Sequence, residues 1–234
     1  MRFFFIIWLG QAFSLFGSQL VQFALIWYLT ETTGSAIVLA GASIAGLLPQ
    51  IVLGPLAGTL VDRWNRRRVL ISSDSLIALV TIMLAVLFAF GRVQVWHVYI
   101  LLFVRALGGA FHSTAMTAST TLLVPERHLS RIQGLNEVLN GGKGILSPML
   151  GALLLKLMPM QGILAIDVGT ALCAIVPLFF ISIPQPKPDG EKEASSILAD
   201  MVGGMRYLWS MPGLWMITLS HAVIYLLMIP ALAT

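Results

Sequence analysis

Two basic side chains, Arg105 and Lys143, interrupt long apolar stretches of this sequence, and Asp74, Glu137 and Asp167 are the carboxylates placed to answer them. His112 and His221 add imidazoles, which titrate near neutral pH and so suit a proton shuttle, with packed neutral histidines as the alternative. Amides and hydroxyls recur at helical spacing. At about 100° per residue, Gln11, Ser14, Ser18 and Gln22 share one stripe, while Arg105, Gly108, Gly109, His112 and Ser119 share another. Asn136, Asn140, Lys143 and Ser147 form a third. Such groups bind small molecules and move protons, or they hold helices together through hydrogen bonds worth roughly 0.6 kcal/mol each. Nothing is arranged to make or break covalent bonds. There is no HExxH, no GxSxG, no phosphate-cradling GxxxxGK and no carboxylate pair at acid-base spacing. A single cysteine, Cys173, excludes a disulfide framework and a cysteine metal cluster. No enzyme, metal site, cofactor or self-contained ATP-driven pump is expected.

The elements that must carry these side chains follow from composition. Of 234 residues, 58% are hydrophobic and only 10% charged, and mean hydropathy is +0.90. Soluble chains carry roughly 25% charged residues, so a soluble protein is excluded. Seven apolar segments reach the about 20 residues that span a bilayer, over residues 3–29, 36–60, 69–90, 96–123, 133–155, 162–183 and 213–233. Pro49, Pro55, Pro148 and Pro177 fall inside them, as neighbouring helices in a membrane allow. The first segment is too long for a cleaved signal peptide. The fold class is an all-α polytopic membrane protein, with the lipid bilayer as its first partner.

Arg63, Arg66, Arg67, Arg68, Arg127, Arg131, Lys187, Lys192 and Arg206 occupy one set of loops and, with Arg2, make ten bases. The alternate loops hold two, Arg92 and Lys156. The net charge of +4 thus reflects membrane topology rather than a nucleic-acid surface, and it predicts a multi-pass plasma-membrane protein with a cytoplasmic N-terminus. Trp8, Trp27, Tyr28, Trp96, Tyr99, Trp209 and Trp215 sit near the expected helix ends, where amphipathic rings favour the headgroup region.

After residues 1–183, a six-helix bundle, residues 184–212 read as a cytoplasmic linker with an amphipathic stretch, and residues 213–234 as a seventh spanning helix. Prolines and charges mark the linker. Ile197, Leu198, Met201, Val202, Met205, Leu208 and Trp209 then recur at helical spacing, with Ser195 or Ser196 as N-cap. The stretch is either a helix on the inner surface or an early start to the seventh span.

Gly58, Asp62, Arg63, Arg66 and Arg67 stand in GTLVDRWNRRR. A glycine allows close helix approach, an aspartate accepts hydrogen bonds at a helix end, and a tight turn swings the arginines back; a plain positive-inside cluster explains the arginines alone. Asn65 holds the turn position as the non-glycine residue that best tolerates a left-handed conformation. This segment resembles the GxxxDRxGRR signature of the major facilitator superfamily. RALGG at Arg105 is similar to the superfamily's intramembrane arginine, and GILSPMLGA, with Gly144, Pro148 and Gly151, to its GxxxGPxxGG antiporter element. WLGQAFSLFGS, TETTGSA, HSTAMTASTTLLVPERHLS and LAIDVGTAL look most like the macrolide-efflux and drug-export branch.

The resemblance implies the first half of a twelve-helix secondary transporter, with helices 1, 2, 4 and 5 around a cavity and helices 3 and 6 at the periphery. It implies drug-like or macrolide-like substrates, proton coupling through Asp74, Glu137 or Asp167, and a missing C-terminal half as partner. The cavity residues are then Gln11, Ser18, Gln22, Arg105, His112, Asn136, Asn140 and Lys143, with Lys143 expected to pair with Glu137. Glu126, next to Pro125, is placed to pair with Arg66 or Arg67 in a charge cluster that favours the outward-open state. Asp74 and Asp167 also fit ion-pair or capping roles near helix ends. Competing functions are transport of a metabolite, lipid or siderophore, and a non-transporting fragment or scaffold.

Overall fold

In the computed structural model, residues 2–185, 197–213, 215–220 and 223–224 are described. They fall into two compact units, Met1–Lys187 and Pro188–Thr234. The first contains six helices long and apolar enough to cross a membrane: α1 (Arg2–Thr33), α2 (Ala36–Arg63), α3 (Arg66–Ala89), α4 (Val95–Leu123), α5 (Glu126–Leu157) and α6 (Met160–Phe180). In the second, α7 (Ile197–Ser210) forms over the amphipathic stretch. Residues 186–196, which include most of the expected linker and Ser195 and Ser196, lie outside the described residues. So does His221, with most of the far end of the expected seventh span; within 213–233 only 213, 215–220 and 223–224 are described as helical.

Several helices outrun their hydropathy segments. α5 begins at Glu126 rather than near 133, and α3 at Arg66 rather than 69. Hydropathy registers the part that meets hydrocarbon, whereas the hydrogen-bond ladder continues to the next capping residue. Ser35 caps α2 by accepting from the Val38 amide, and Asn65 caps α3 by accepting from the Arg68 amide. Asn65 therefore serves through its side chain: with φ −67° and ψ 109° its backbone is extended, not left-handed as expected, because an N-cap needs a non-helical β-region residue. The left-handed turns fall at Gly34 (φ 57°) and Gly91 (φ 64°), where a Cβ would be strained.

Within the bundle α1 packs on α6 and α5, α2 on α4, and α3 on both α4 and α6. Apolar transfer between water and core does not drive helix association in lipid, so close contact must do it. At Gly10, a Cβ would lie 2.6 Å from the Cys173 carbonyl oxygen of α6. At Gly151 of the antiporter-like element, it would lie 2.6 Å from the Phe23 ring of α1. Gly58 and Gly144 meet nothing within 4 Å, so the close approach expected of Gly58 is not made inside this bundle.

Along the helix axes a level of buried polar side chains lies between two apolar clusters. One apolar cluster contains Val21, Leu84, Leu101, Leu102, Ile163 and Leu164, and another contains Ile7, Leu70, Ala115 and Leu178. On every one of α1, α3, α4 and α6, the buried polar side chains Gln11, Ser14, Asp74, Thr81, Arg105, His112 and Asp167 fall between the two. α2 and α5 bury only 11% of their most apolar windows against 50% for α1 and α4, which leaves their outer faces available to lipid or to further protein.

Gly10→Ala should destabilise the full chain by about 1–3 kcal/mol, the usual range for overpacking, because its Cβ meets rigid backbone. Gly58→Ala should leave thermal unfolding in detergent unchanged; equal loss in both variants would contradict this account of α1 and α6.

Candidate functional site

The polar level is organised around two acids on α3 and α6. Arg105 of α4 donates from Nη1 to Asp167 Oδ2 of α6 at 2.5 Å and to Thr81 Oγ1 of α3 at 2.6 Å. Its Nη2 reaches the Ser18 carbonyl of α1 at 3.3 Å, and the Ser18 hydroxyl donates to the other carboxylate oxygen at 3.1 Å. One ion pair thus ties four helices. Arg105 is 9% exposed and Asp167 1%; in so dry a site each charge depends on the other and on the hydrogen bonds that fill their remaining valences.

About 10 Å along α3 from Thr81, by helical rise, Asp74 anchors a second group. Gln11 of α1 donates from Nε2 to Asp74 Oδ2 at 3.0 Å, and its Oε1 lies 2.7 Å from His112 Nε2 of α4. With the amide in this orientation, His112 carries hydrogen on Nε2. The same nitrogen is 3.5 Å from Asp74 Oδ1. All three side chains are buried.

Two chambers open beside these groups. The chamber nearer the arginine-rich end has a volume of about 350 Å³ and is lined by Trp8, Gln11, Thr120, Gln133, Asn136, Glu137 and Asn140, among others. The farther one, about 460 Å³, is lined by Ser18, Gln19, Gln22, Gln50, Asp74 and Arg105, among others. Leu15, His112, Ser113 and Lys143 line both. All eight cavity residues singled out in the sequence border one chamber or the other. Gln50 of α2, a single amide in an apolar span, belongs with them and was missed; its polarity inside such a span was the available signal. Asn136 also accepts a hydrogen bond from Trp8 Nε1 at 2.8 Å, which fixes α1 against α5.

Several expected pairings do not form. Arg105 is matched by Asp167, and both Asp74 and Asp167 point inward from mid-helix, although their helices were expected at the periphery and the residues near helix ends. A peripheral helix still turns one face to the bundle, and these acids occupy it. Lys143 has no carboxylate within 4.0 Å among the described residues, Glu137 included; Glu137 lies six residues earlier and roughly 120° around α5. Ser147 is buried with its hydroxyl unpartnered.

At the arginine-rich end, Glu126 pairs with neither Arg66 nor Arg67. Arg67 donates to the Leu178 and Phe179 carbonyls at 2.5 and 2.7 Å, satisfying the exposed C-terminal carbonyls of α6. Arg66 donates to the Ala118 carbonyl of α4 at 2.9 Å and lies 3.6 Å from Asp62. Helix-end carbonyls lie within reach of these arginines and compete successfully with an exposed glutamate. Asp62 and Arg63 are exposed beside them.

Comparison with known proteins follows the same lines. The profile of the Major Facilitator Superfamily matches residues 7–234. Macrolide efflux protein A of Streptococcus pyogenes is 39% identical over 216 residues, covering 92% of this chain and 53% of that protein. Its namesake from Enterococcus faecalis is 36% identical over 186 residues, covering 80% and 57%. The multidrug efflux pump Tap of Mycolicibacterium fortuitum is 28% identical over 203 residues, covering 84% and 49%. The chain spans about half the length of the curated relatives it matches.

Removing one member of the buried pair, by Arg105→Gln or Asp167→Asn, should cost about 3–5 kcal/mol of stability through the stranded charge and lower the yield of folded protein. The double variant should recover part of that loss. Singles as stable as the parent in thermal unfolding would make the pair a functional rather than a structural one.

Proposed function

The chain belongs to the major facilitator superfamily, and from that premise we propose that it forms the first six-helix half of a secondary transporter that exports drug-like or macrolide-like small molecules. The export proceeds by alternating access and is driven by a proton gradient. The observation that carries this reading is the pair of polar-walled chambers that share His112 and Lys143. Each lies within the roughly 300–1,000 Å³ typical of small-molecule sites, and together they trace a route past the buried polar level. Names of relatives add the substrate class: macrolide efflux for two of them and multidrug efflux for another.

A six-helix half cannot rock against nothing. The sparsely buried faces of α2 and α5 suit a second six-helix half, which completes the walls of both chambers. In this arrangement Lys143, which has no carboxylate within 4.0 Å among the described residues, donates to acceptor-rich substrates, while Gln22, Gln50, Asn136 and Asn140 supply exchangeable hydrogen bonds. Asp62, Arg63 and Arg66 lie where such a half would close the arginine-rich end.

Expressed as its complete reading frame in an efflux-deficient bacterium, the protein should lower accumulation of radiolabelled erythromycin or ethidium, and a protonophore should reverse this. Lys143→Met, which keeps length and packing but deletes charge, should reduce efflux several-fold at normal membrane expression. No efflux of any compound across an antibiotic and dye panel would favour the scaffold reading; normal efflux by Lys143→Met would reduce the α5 stripe to packing.

The ten-to-two distribution of loop bases supports a plasma-membrane location with the N-terminus in the cytoplasm. In a Cys173→Ala background, single cysteines at Thr33, Gln94 and Met160 should react with an impermeant thiol reagent from outside, and those at Asn65 and Gly190 should not. Labelling in the opposite sense reverses the orientation.

A further inference from the structure

The three acids of the bundle differ in what one proton would do to them. Asp167 is committed to the Arg105 guanidinium at 2.5 Å and lines neither chamber. Glu137 is exposed at the near chamber. Asp74 is buried, has no lysine or arginine nitrogen within 4.0 Å among the described residues, and faces only a neutral amide and an imidazole. Resting on the exporter reading above, we propose that Asp74, Gln11 and His112 form the proton-exchanging unit that couples the gradient to transport.

The placement of the three side chains supports this assignment. Asp74 lines the far chamber, Gln11 the near chamber, and His112 both. The unit therefore meets both chambers through His112, with Asp74 added on the far side and Gln11 on the near side. With the aspartate ionised and the imidazole protonated, the buried charges are paired; removal of one proton leaves a single charge in the same dry site. Proton exchange here changes the electrostatics of the polar level by one unit, whereas the Arg105 and Asp167 pair stays matched. In the step itself, a hydronium ion in one chamber loses a proton, its O–H bond breaking as an O–H bond forms on Asp74 or an N–H bond on His112 Nδ1; the reverse transfer breaks that new bond and returns the proton to water in the other chamber.

Gln11 positions the pair. Its amide donates to Asp74 and accepts from His112 Nε2, holding the imidazole 3.5 Å from the carboxylate, one short reorientation from direct contact. The other charged groups around the unit come from each packed element: Arg105 two turns away on the same face of α4, Asp167 from α6 beside Thr81, and Lys143 and Glu137 from α5. α1 offers only amides and hydroxyls there, and α2 contributes Gln50. Lys143 lines the same chambers as His112, so a substrate held by that ammonium sits where it alters the field on the imidazole.

The test uses the full-length protein, purified in detergent in weak buffer with a pH-sensitive dye. Radiolabelled erythromycin binding, followed by equilibrium dialysis, should be accompanied by proton release from the wild type. In Asp74→Asn, which keeps an acceptor for Gln11, the protons released per erythromycin bound should fall to near zero and the pH dependence of binding should flatten, with erythromycin raised until occupancy matches the wild type. Where Asp74→Asn does not fold, His112→Gln carries the same expectation. Gln11→Leu should shift the pH profile without deleting the release. Unchanged proton release in Asp74→Asn or His112→Gln, with wild-type efflux still reversed by a protonophore, overturns this assignment and leaves the exporter reading standing. A wild type whose efflux ignores the gradient overturns both.

Discussion

Arg105 and Asp167 set the terms for the rest of the bundle. Two opposite charges placed 2.5 Å apart and almost fully shielded have no water to fall back on, so every remaining hydrogen-bonding valence must be met by a neighbouring helix. Thr81 supplies one from α3 and Ser18 supplies two from α1, one through its hydroxyl and one through its carbonyl. The pair is therefore satisfied only when α1, α3, α4 and α6 stand in one register. Apolar clusters above and below seal the polar level but would tolerate several registers; the ion pair does not.

That register also places the chambers. Once α4 is held with Arg105 toward α6, the same helix brings His112 two turns later toward α1 and α3, where Gln11 accepts its hydrogen bond and Asp74 lies 3.5 Å away. α1, α4 and α5 supply polar wall to both chambers, and α2 adds Gln50 to the far one. Two acid-centred groups thus share one level: one is locked by a guanidinium, and the other joins a carboxylate to an amide and an imidazole. Lys143, without a carboxylate partner among the described residues, lines both chambers.

At the arginine-rich end the chemistry is local capping. Asn65 caps α3, and Arg67 reaches the last carbonyls of α6, so the loop motif fastens the ends of two helices that the chain order separates by more than a hundred residues. Exposed ion pairs such as Asp62 with Arg66 add little stability by themselves. Their orientation toward the open side of the bundle suits a contact that strengthens in one state of a transporter and weakens in another.

Much of this was legible without coordinates, for reasons that can be named residue by residue. The six spanning helices of the first unit follow from span length, which depends on neighbours in sequence. The stripes Gln11 to Gln22, Arg105 to Ser119 and Asn136 to Ser147 follow from the helical period, and they led to the residues that border the chambers. Partner choice was not legible. Lys143 and Glu137 are close in sequence yet face different ways around α5, whereas Arg105 and Asp167 are 62 residues apart and meet because two helices pack. Asn65 was read as a turn former and is a cap. The chain by itself determined which side chains must find a polar environment, because lipid offers none; only the packing of α3 and α6 against α1 and α4 decided which of them would share it, since a buried charge is stabilised by whatever the tertiary fold brings within hydrogen-bonding distance.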